Sequence, residues 1–225
     1  IIAEVILIFI ALILFIPTFL FGIECVVGLC AKNKEHILTA VQDYRTVILI
    51  PAHNEANVIK DTLLSVQAQL TVRDEIIVIA DNCTDETANI VRALGHAVLE
   101  RHDDDKRGKG YALAYGLDSV RLDAPDIIVI IDADCTIADN CLAMLTQTAM
   151  QVQKTVQGCY LMQSEENATV GHKISQFAIL VKNKIRMQGL SKILGNVPLL
   201  GSGMAFPWTV IKDLPLASGE IVEDM

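Results

Sequence analysis

The chain is expected to fold as an α/β protein, a mainly parallel sheet with helices on both faces, preceded by one transmembrane helix. From Thr46 onward, short apolar runs rich in β-branched residues alternate with stretches of helical periodicity. That order builds parallel sheets through crossover helices. The runs are apolar throughout, which suits strands buried on both faces. Ahead of them, Val5–Ile23 is apolar apart from Thr18. A helix of this length nearly crosses a hydrocarbon core about 30 Å thick.

The membrane segment carries Pro17 and Gly22 as possible bends and is bounded by Glu4 and Glu24. A signal peptide would have a shorter apolar core and a small-residue cleavage site. A buried core helix is the alternative, weakened by a surface that is apolar all round. Lys32 and Lys34 follow closely, so the positive-inside rule places the remainder in the cytoplasm. Residues 32–45 are polar and mixed, as a linker would be. Thr46–Ile50 reads as the first strand, ended by Pro51, and Asn57–Leu70 as a helix with apolar residues at helical spacing. Glu75–Ala80 is the second strand, Asp85–Leu94 a short helix stopped by Gly95, and Ala97–Leu99 the third strand. Tyr111–Val120 reads as helix, Asp126–Ile131 as the fourth strand, Asp139–Val152 as helix and Thr155–Met162 as strand. Val170–Leu190 is a longer amphipathic stretch.

Composition narrows the function. Of 225 residues, about 190 remain after the membrane segment, roughly one domain's worth. The formal charge of −9 excludes a broad nucleic-acid-binding face. Cys25, Cys30, Cys83, Cys135, Cys141 and Cys159 form neither CxxC pairs nor zinc-spaced clusters and read as free thiols in a reducing compartment. The chain starts with Ile1 and stops at Met225, and the expectation is that it is a fragment.

Three strands end in polar residues: Pro51-Ala52-His53-Asn54-Glu55, Asp81-Asn82-Cys83-Thr84-Asp85, and Asp132-Ala133-Asp134. At one sheet edge they would make a pocket, since open α/β sheets bind ligands beyond the carboxyl ends of their strands. Taken singly, each could be a solvated loop, and Thr84 or Asp85 a helix cap. Residues i and i+2 of a strand share a face, so Asp132 and Asp134 should project together. Paired acidic oxygens suit a hard divalent cation, against the alternative of one salt bridge and one cap. Arg101–Lys109 holds a charged stretch, of which Asp103–Asp105 reads as mobile and self-paired. Gly108-Lys109-Gly110 allows close backbone approach with a lysine to meet a diphosphate. Gly201-Ser202-Gly203-Met204-Ala205-Phe206 offers either a small-residue surface for something large or a tight turn. Glu223-Asp224 could supply a general base or start a charged helix.

In this order the motifs resemble the family 2 glycosyltransferases with their GT-A, Rossmann-like nucleotide-sugar fold, and most closely the membrane-bound branch similar to cellulose, chitin and hyaluronan synthases. The resemblance covers about residues 46–225. Together with the apolar segment and the polar stretch after it, this divides the chain into a transmembrane helix over 1–31, a linker over 32–45 and, as the resemblance implies, a C-terminally truncated catalytic domain over 46–225. Pro51-Ala52-His53-Asn54-Glu55 looks like the opening strand-end motif on the donor side. Asp81 matches the acid that meets the uracil or ribose, and Lys109 a basic residue after it. Asp132-Ala133-Asp134 matches the DxD, with Asp132 toward the ribose and Asp134 on Mg²⁺ or Mn²⁺. Gly201-Ser202-Gly203 resembles the acceptor-side motif, and Glu223-Asp224 the ED pair whose aspartate is the catalytic base. The implied enzyme is a metal-dependent inverting hexosyltransferase. It would move a sugar from a nucleotide donor, a UDP-sugar, to a hydroxyl on a glycan, saccharide or lipid-linked acceptor in polysaccharide or glycan synthesis. It would sit in an inner or plasma membrane with its catalytic domain cytoplasmic, and nucleic acid is not an expected partner. The branch's later QxxRW motif and further transmembrane helices are expected beyond residue 225. Two other classes are a nucleotide-binding module without turnover and a nucleotidyltransferase, although the latter would carry an early glycine-rich phosphate loop.

Overall fold

Four apolar runs form the parallel part of the sheet in the computed structural model, which describes residues 2–31, 44–163 and 168–217. They are β1 (Thr46–Ala52), β2 (Glu75–Asp81), β3 (Ala97–Arg101) and β4 (Ile127–Ile130). β1 pairs in parallel with β2 on one side and β4 on the other, and β2 pairs in parallel with β3. Two further strands complete the sheet. β5 (Val156–Gln157) and β6 (Met204–Pro207) extend the order to β3-β2-β1-β4-β6-β5, with β6 antiparallel to both β4 and β5.

The unbroken apolar runs are explained by two cores. Ile48, Ile50, Ile76, Val78, Ile127 and Val129 pack on one face with Ile59, Leu63 and Val66 of α2 (Ile59–Gln67), Val91 of α3 (Thr87–Ala93), and Leu142, Leu145 and Ala149 of α5 (Cys141–Val152). The alternate residues Val47, Leu49, Ile77, Ile79, Ile128 and Ile130 pack on the other face with Ala112, Leu113 and Leu117 of α4 (Lys109–Ser119) and Ile211 of α8 (Trp208–Ile211). Successive side chains point to opposite faces, so a strand covered on both sides needs an apolar residue at every position.

The expected strand Thr155–Met162 is cut to Val156–Gln157. Among the described residues it pairs with β6 alone, and Gly158 makes the last bond, its N–H donating to the Gly203 carbonyl at 2.7 Å. Extended propensity does not hold a strand without a partner. β6 begins inside Gly201–Phe206, where a small-residue surface or a tight turn was expected.

The described residues cluster into two compact units: Ile1–Glu35 with Cys159–Val197, and His36–Gly158 with Pro198–Met225. The sheet and its helices lie in the second. The first holds α1 (Ile2–Cys30), α6 (Val170–Leu180), a π-helical turn over Val181–Arg186 and α7 (Met187–Leu194). By length and composition α1 is able to cross a membrane. Pro17 removes one helical donor, and the Thr18 hydroxyl donates to the Leu14 carbonyl at 2.7 Å beside it.

The C-terminal part of α1 packs on the π-helical turn and α7 through two glycines. A Cβ on Gly28 would overlap the Ile185 carbonyl, and one on Gly189 the Glu24 carbonyl. Arg186 donates to Glu24 at 2.6 Å. Backbone atoms cannot swing aside, so Gly189→Ala is expected to force the helices apart and destabilise this unit by about 1–3 kcal/mol, the usual range for overpacking. Thermal unfolding of the full chain in detergent checks this, and an unchanged midpoint would show that the glycine contact is dispensable.

Candidate functional site

The cleft forms where the chain order reverses. β1 has β2 on one side and β4 on the other, and such switch points are where open α/β sheets bind ligands. The carboxyl ends of β1, β2 and β4 share one edge. Because β6 runs antiparallel, its amino end, Gly201-Ser202-Gly203, arrives at the same edge. The cleft is about 450 Å³ and is lined by Pro51, Ala52, His53, Glu55, Asp81, Asn82, Arg107, Gly108, Lys109, Ala112, Asp132, Ala133 and Asp134. Apart from Asn54, every residue expected on the donor side lines it.

The loops after β1 and β2 are tied together. Asn54, at φ 57, turns its side-chain carbonyl to accept from the Thr84 N–H at 2.8 Å. The Glu55 N–H donates to Thr87 Oγ1 at 2.9 Å, and the Ala56 N–H to Asp85 Oδ2 at 3.0 Å. Asp85 also accepts from the Thr87 N–H at 3.0 Å, although the N-cap position of α3 falls on Glu86, one residue after the expected cap. His53 Nδ1 lies 2.7 Å from the Asp81 carbonyl. A carbonyl only accepts, so Nδ1 carries a proton.

Asp81 is held by a side chain that residue order shows only as the first charge of the Arg101–Lys109 stretch. Arg101, at the end of β3, donates to Asp81 Oδ1 at 2.6 Å, and the two side chains are only 10% and 9% exposed. Arg101 also donates to Asp103 at 3.1 Å and to the Lys106 carbonyl at 2.7 Å. Asp103 in turn accepts from the backbone of Asp105 and Lys106, and its own N–H donates to Asn82. The loop expected to be mobile is therefore organised around Asp103, and it carries Arg107 and Lys109 into the cleft. Arg107 pairs with Asp104. Its signal in the sequence was its place between Asp103–Asp105 and the glycine–lysine step.

Asp132 and Asp134 converge, but not through the strand pleat that was expected. β4 ends at Ile130, and Asp132–Cys135 is a turn closed by the Cys135 N–H donating to the Asp132 carbonyl at 3.1 Å. Ser202 replaces the sheet partner, its Oγ accepting from the Asp132 N–H at 3.0 Å. Thr62 of α2 donates to the Ala133 carbonyl at 2.7 Å. Held this way, ligand atoms of Asp132, Asp134 and Cys135 all lie within 4.8 Å of one another. Lys109 reaches Asp132 Oδ1 at 2.6 Å and donates to the Gly201 carbonyl at 2.7 Å. The glycines expected on the acceptor side thus adjoin the acid pair. Gly201 at φ +83 and Gly203 at φ +67 use backbone conformations that side chains disfavour. Glu223 and Asp224 lie outside the described residues.

The residues fit a hard divalent cation. Burial pushes the Asp132 carboxyl up against the pull of Lys109, and the charge of Asp134 adds to the rise. Burial raises Glu55 as well, followed by the charges of Asp134 and Asp85. Burial pushes the Cys135 thiol beside them up to about 11. The two carboxylates offer oxygens, which suit Mg²⁺ or Mn²⁺ better than softer ions.

The sign of the pH effect follows from these shifts. A carboxyl whose pKa is raised by folding favours the fold below the ordinary carboxylate range, and that contribution is lost as pH rises through the folded value. A cation that replaces the protons should stabilise the protein more at about pH 7 than at about pH 4.5, where protons compete. Melting curves with Mn²⁺ and with EDTA across that range check it. A gap independent of pH would remove these acids as ligands.

The family pattern described as glycosyl transferase family 2 matches residues 47–206. Among solved structures, the chain is similar to a mannosyltransferase from Pyrobaculum calidifontis in complex with GDP-Man and Mn²⁺, at 22% identity and TM-score 0.51, over 73% of this chain and 48% of that one. It is also similar to glucosyl-3-phosphoglycerate synthase from Mycobacterium tuberculosis in complex with Mn²⁺, UDP-glucose and phosphoglyceric acid, at 19% identity and TM-score 0.52, over 78% and 62%. The same synthase with UDP aligns at 20% identity and TM-score 0.50, over 73% and 57%. The likeness is one of fold, and the chain spans between 48% and 62% of the length of these proteins. No curated protein matches the chain.

Proposed function

We propose, because this chain belongs to glycosyl transferase family 2, that it transfers a hexose from a UDP-sugar to an acceptor hydroxyl with inversion at the anomeric carbon. The observation that carries this reading is the convergence of Asp81, Lys109, Asp132 and Asp134 on one cleft. The neighbours solved with a sugar nucleotide and Mn²⁺ support it.

Asp81, fixed by Arg101, meets the uracil or ribose. Pro51, Ala52, His53, Asn54 and Glu55 border the donor, and Lys109 faces its diphosphate. Asp132 turns toward the ribose and Ala133 spaces the pair. Asp134 holds Mg²⁺ or Mn²⁺, which when bound neutralises charge on the departing diphosphate. Gly201, Ser202 and Gly203 border the acceptor. Asp224, with Glu223 beside it, takes the proton from the acceptor hydroxyl. The hydroxyl oxygen attacks the anomeric carbon, the bond to the diphosphate oxygen breaks, and a single displacement inverts the carbon.

The wider assignment follows the membrane-bound synthase-like branch. Residues 1–31 span an inner or plasma membrane, 32–45 link, and 46–225 form the catalytic domain on the cytoplasmic side, making polysaccharide or glycan on a saccharide or lipid-linked acceptor. α1 supports this placement by its length and composition.

Two measurements test the reading. Titration of UDP into the full chain should show binding with Mn²⁺ and none with EDTA; equal binding in both would remove the acid pair from the site. The full-length protein should transfer sugar from at least one of a panel of UDP-sugars. Binding without any transfer would leave a nucleotide-binding module, and pyrophosphate release from UTP and a sugar phosphate would make it a nucleotidyltransferase.

A further inference from the structure

The helical segment from Thr169 to Leu194 carries Lys173, Lys182, Lys184, Arg186 and Lys192 and no acidic residue, in a protein of net charge −9. α6 opens it, capped by Thr169, whose hydroxyl accepts from the His172 N–H at 3.2 Å. No residue of α6 is buried. Val170, Ile174 and Phe177, at i, i+4 and i+7, fall on one face and are 75%, 64% and 66% exposed. A water-facing helix would place polar residues there.

The same compact unit contains α1. The helices cross at Glu24 and Gly28 of α1, against Ile185 and Gly189. Cys25–Ala31 is apolar as well, but Glu24 ends the long apolar run of α1 at Ile23. At about 1.5 Å per residue, the crossing falls within roughly 8 Å of that end, the depth of the headgroup layer. A basic helix with an apolar stripe, joined to a membrane-spanning helix at that level, has the charge and shape of one lying in the interface.

We propose that α6 is a second membrane contact, with Val170, Ile174 and Phe177 in the headgroup–acyl boundary of an anionic bilayer, and with its Lys173 and the Lys182, Lys184 and Lys192 that follow it in the π-helical turn and α7 on the headgroups. This rests on the reading of α1 as a membrane span. Lysines near an anionic surface are drawn to it, so charge and stripe act together.

The chain has one tryptophan, Trp208, so an added tryptophan can be read by difference. Phe177→Trp and, separately, Phe15→Trp in α1 are placed in the full chain and reconstituted in phosphatidylglycerol-containing vesicles with brominated acyl chains. Both added signals should be blue-shifted and largely quenched. Quenching of Phe177→Trp should fall when phosphatidylglycerol is replaced by phosphatidylcholine. If Phe15→Trp is quenched and Phe177→Trp is not, the proposal fails while the membrane span stands. If neither is quenched, both fail. A blue shift of Phe177→Trp without quenching would mean that protein covers the stripe, which also overturns the proposal. Quenching unaffected by the lipid exchange would overturn the role of the anionic headgroups.

Discussion

Asp134→Asn is expected to abolish Mn²⁺-dependent UDP binding and to lower sugar transfer by about a hundredfold or more, since a Lewis-acid cation contributes several kcal/mol and each 1.4 kcal/mol is tenfold. The fold should survive. Asp134 is exposed, and its turn is held by bonds to other atoms: the Asp132 N–H on Ser202, the Asp132 carbonyl with the Cys135 N–H, and the Ala133 carbonyl with Thr62. Losing one carboxylate also relieves repulsion on Glu55 and Asp132, so the melting temperature without metal should hold or rise. Titration, melting curves and turnover give three separate readouts. Asp224→Asn in the full-length enzyme should divide them differently, keeping UDP binding and losing transfer. Binding by Asp134→Asn equal to that of the parent would assign the metal elsewhere, and retained turnover by Asp224→Asn would remove it as the base.

Arg101→Met should destabilise the sheet unit by about 3–5 kcal/mol, because removing one partner strands a buried charge on the other. Asp81 would keep its carboxylate almost out of water, with only Asn82 Nδ2 beside it at 3.4 Å. The same change removes the guanidinium from Asp103 and from the Lys106 carbonyl, which loosens the loop leading to Lys109, so UDP binding should weaken in the remaining folded protein. Adding Asp81→Leu should recover most of the stability and none of the binding, since apolar replacement of a buried pair is often neutral. Denaturant unfolding of the single and double variants decides it. A loss below about 1 kcal/mol would describe a pair already open to solvent.

What could be read from residue order alone was whatever depends on local pattern. Val47–Ile50 and Ile76–Ile79 announce strands covered on both faces, because each residue meets one core or the other. The Asp132–Asp134 spacing announced a shared site, although the geometry that unites them is a turn rather than a pleat. What escaped depends on partners distant in sequence. β6 is four residues closed by a proline, and it becomes a strand because β4 offers an open edge. Thr155–Met162 has strand composition but, among the described residues, no strand neighbour beyond Gly158. Arg101 looked like one charge in a charged run, and only the alignment of β2 with β3, which sets Asp81 opposite Arg101, turns it into the support of a site carboxylate.

The late return of β6 has a consequence for synthesis. Ile130 pairs with Met204, so a nascent chain emerging from the ribosome exposes the apolar edge of β4 until more than seventy further residues have followed. Unpaired edges of this kind invite intermolecular strand addition, and contacts between such distant residues form slowly. The most vulnerable stage in producing this protein is therefore the interval before Met204–Pro207 docks, and shortened versions ending ahead of that strand should accumulate as aggregates rather than as folded, ligand-competent chains.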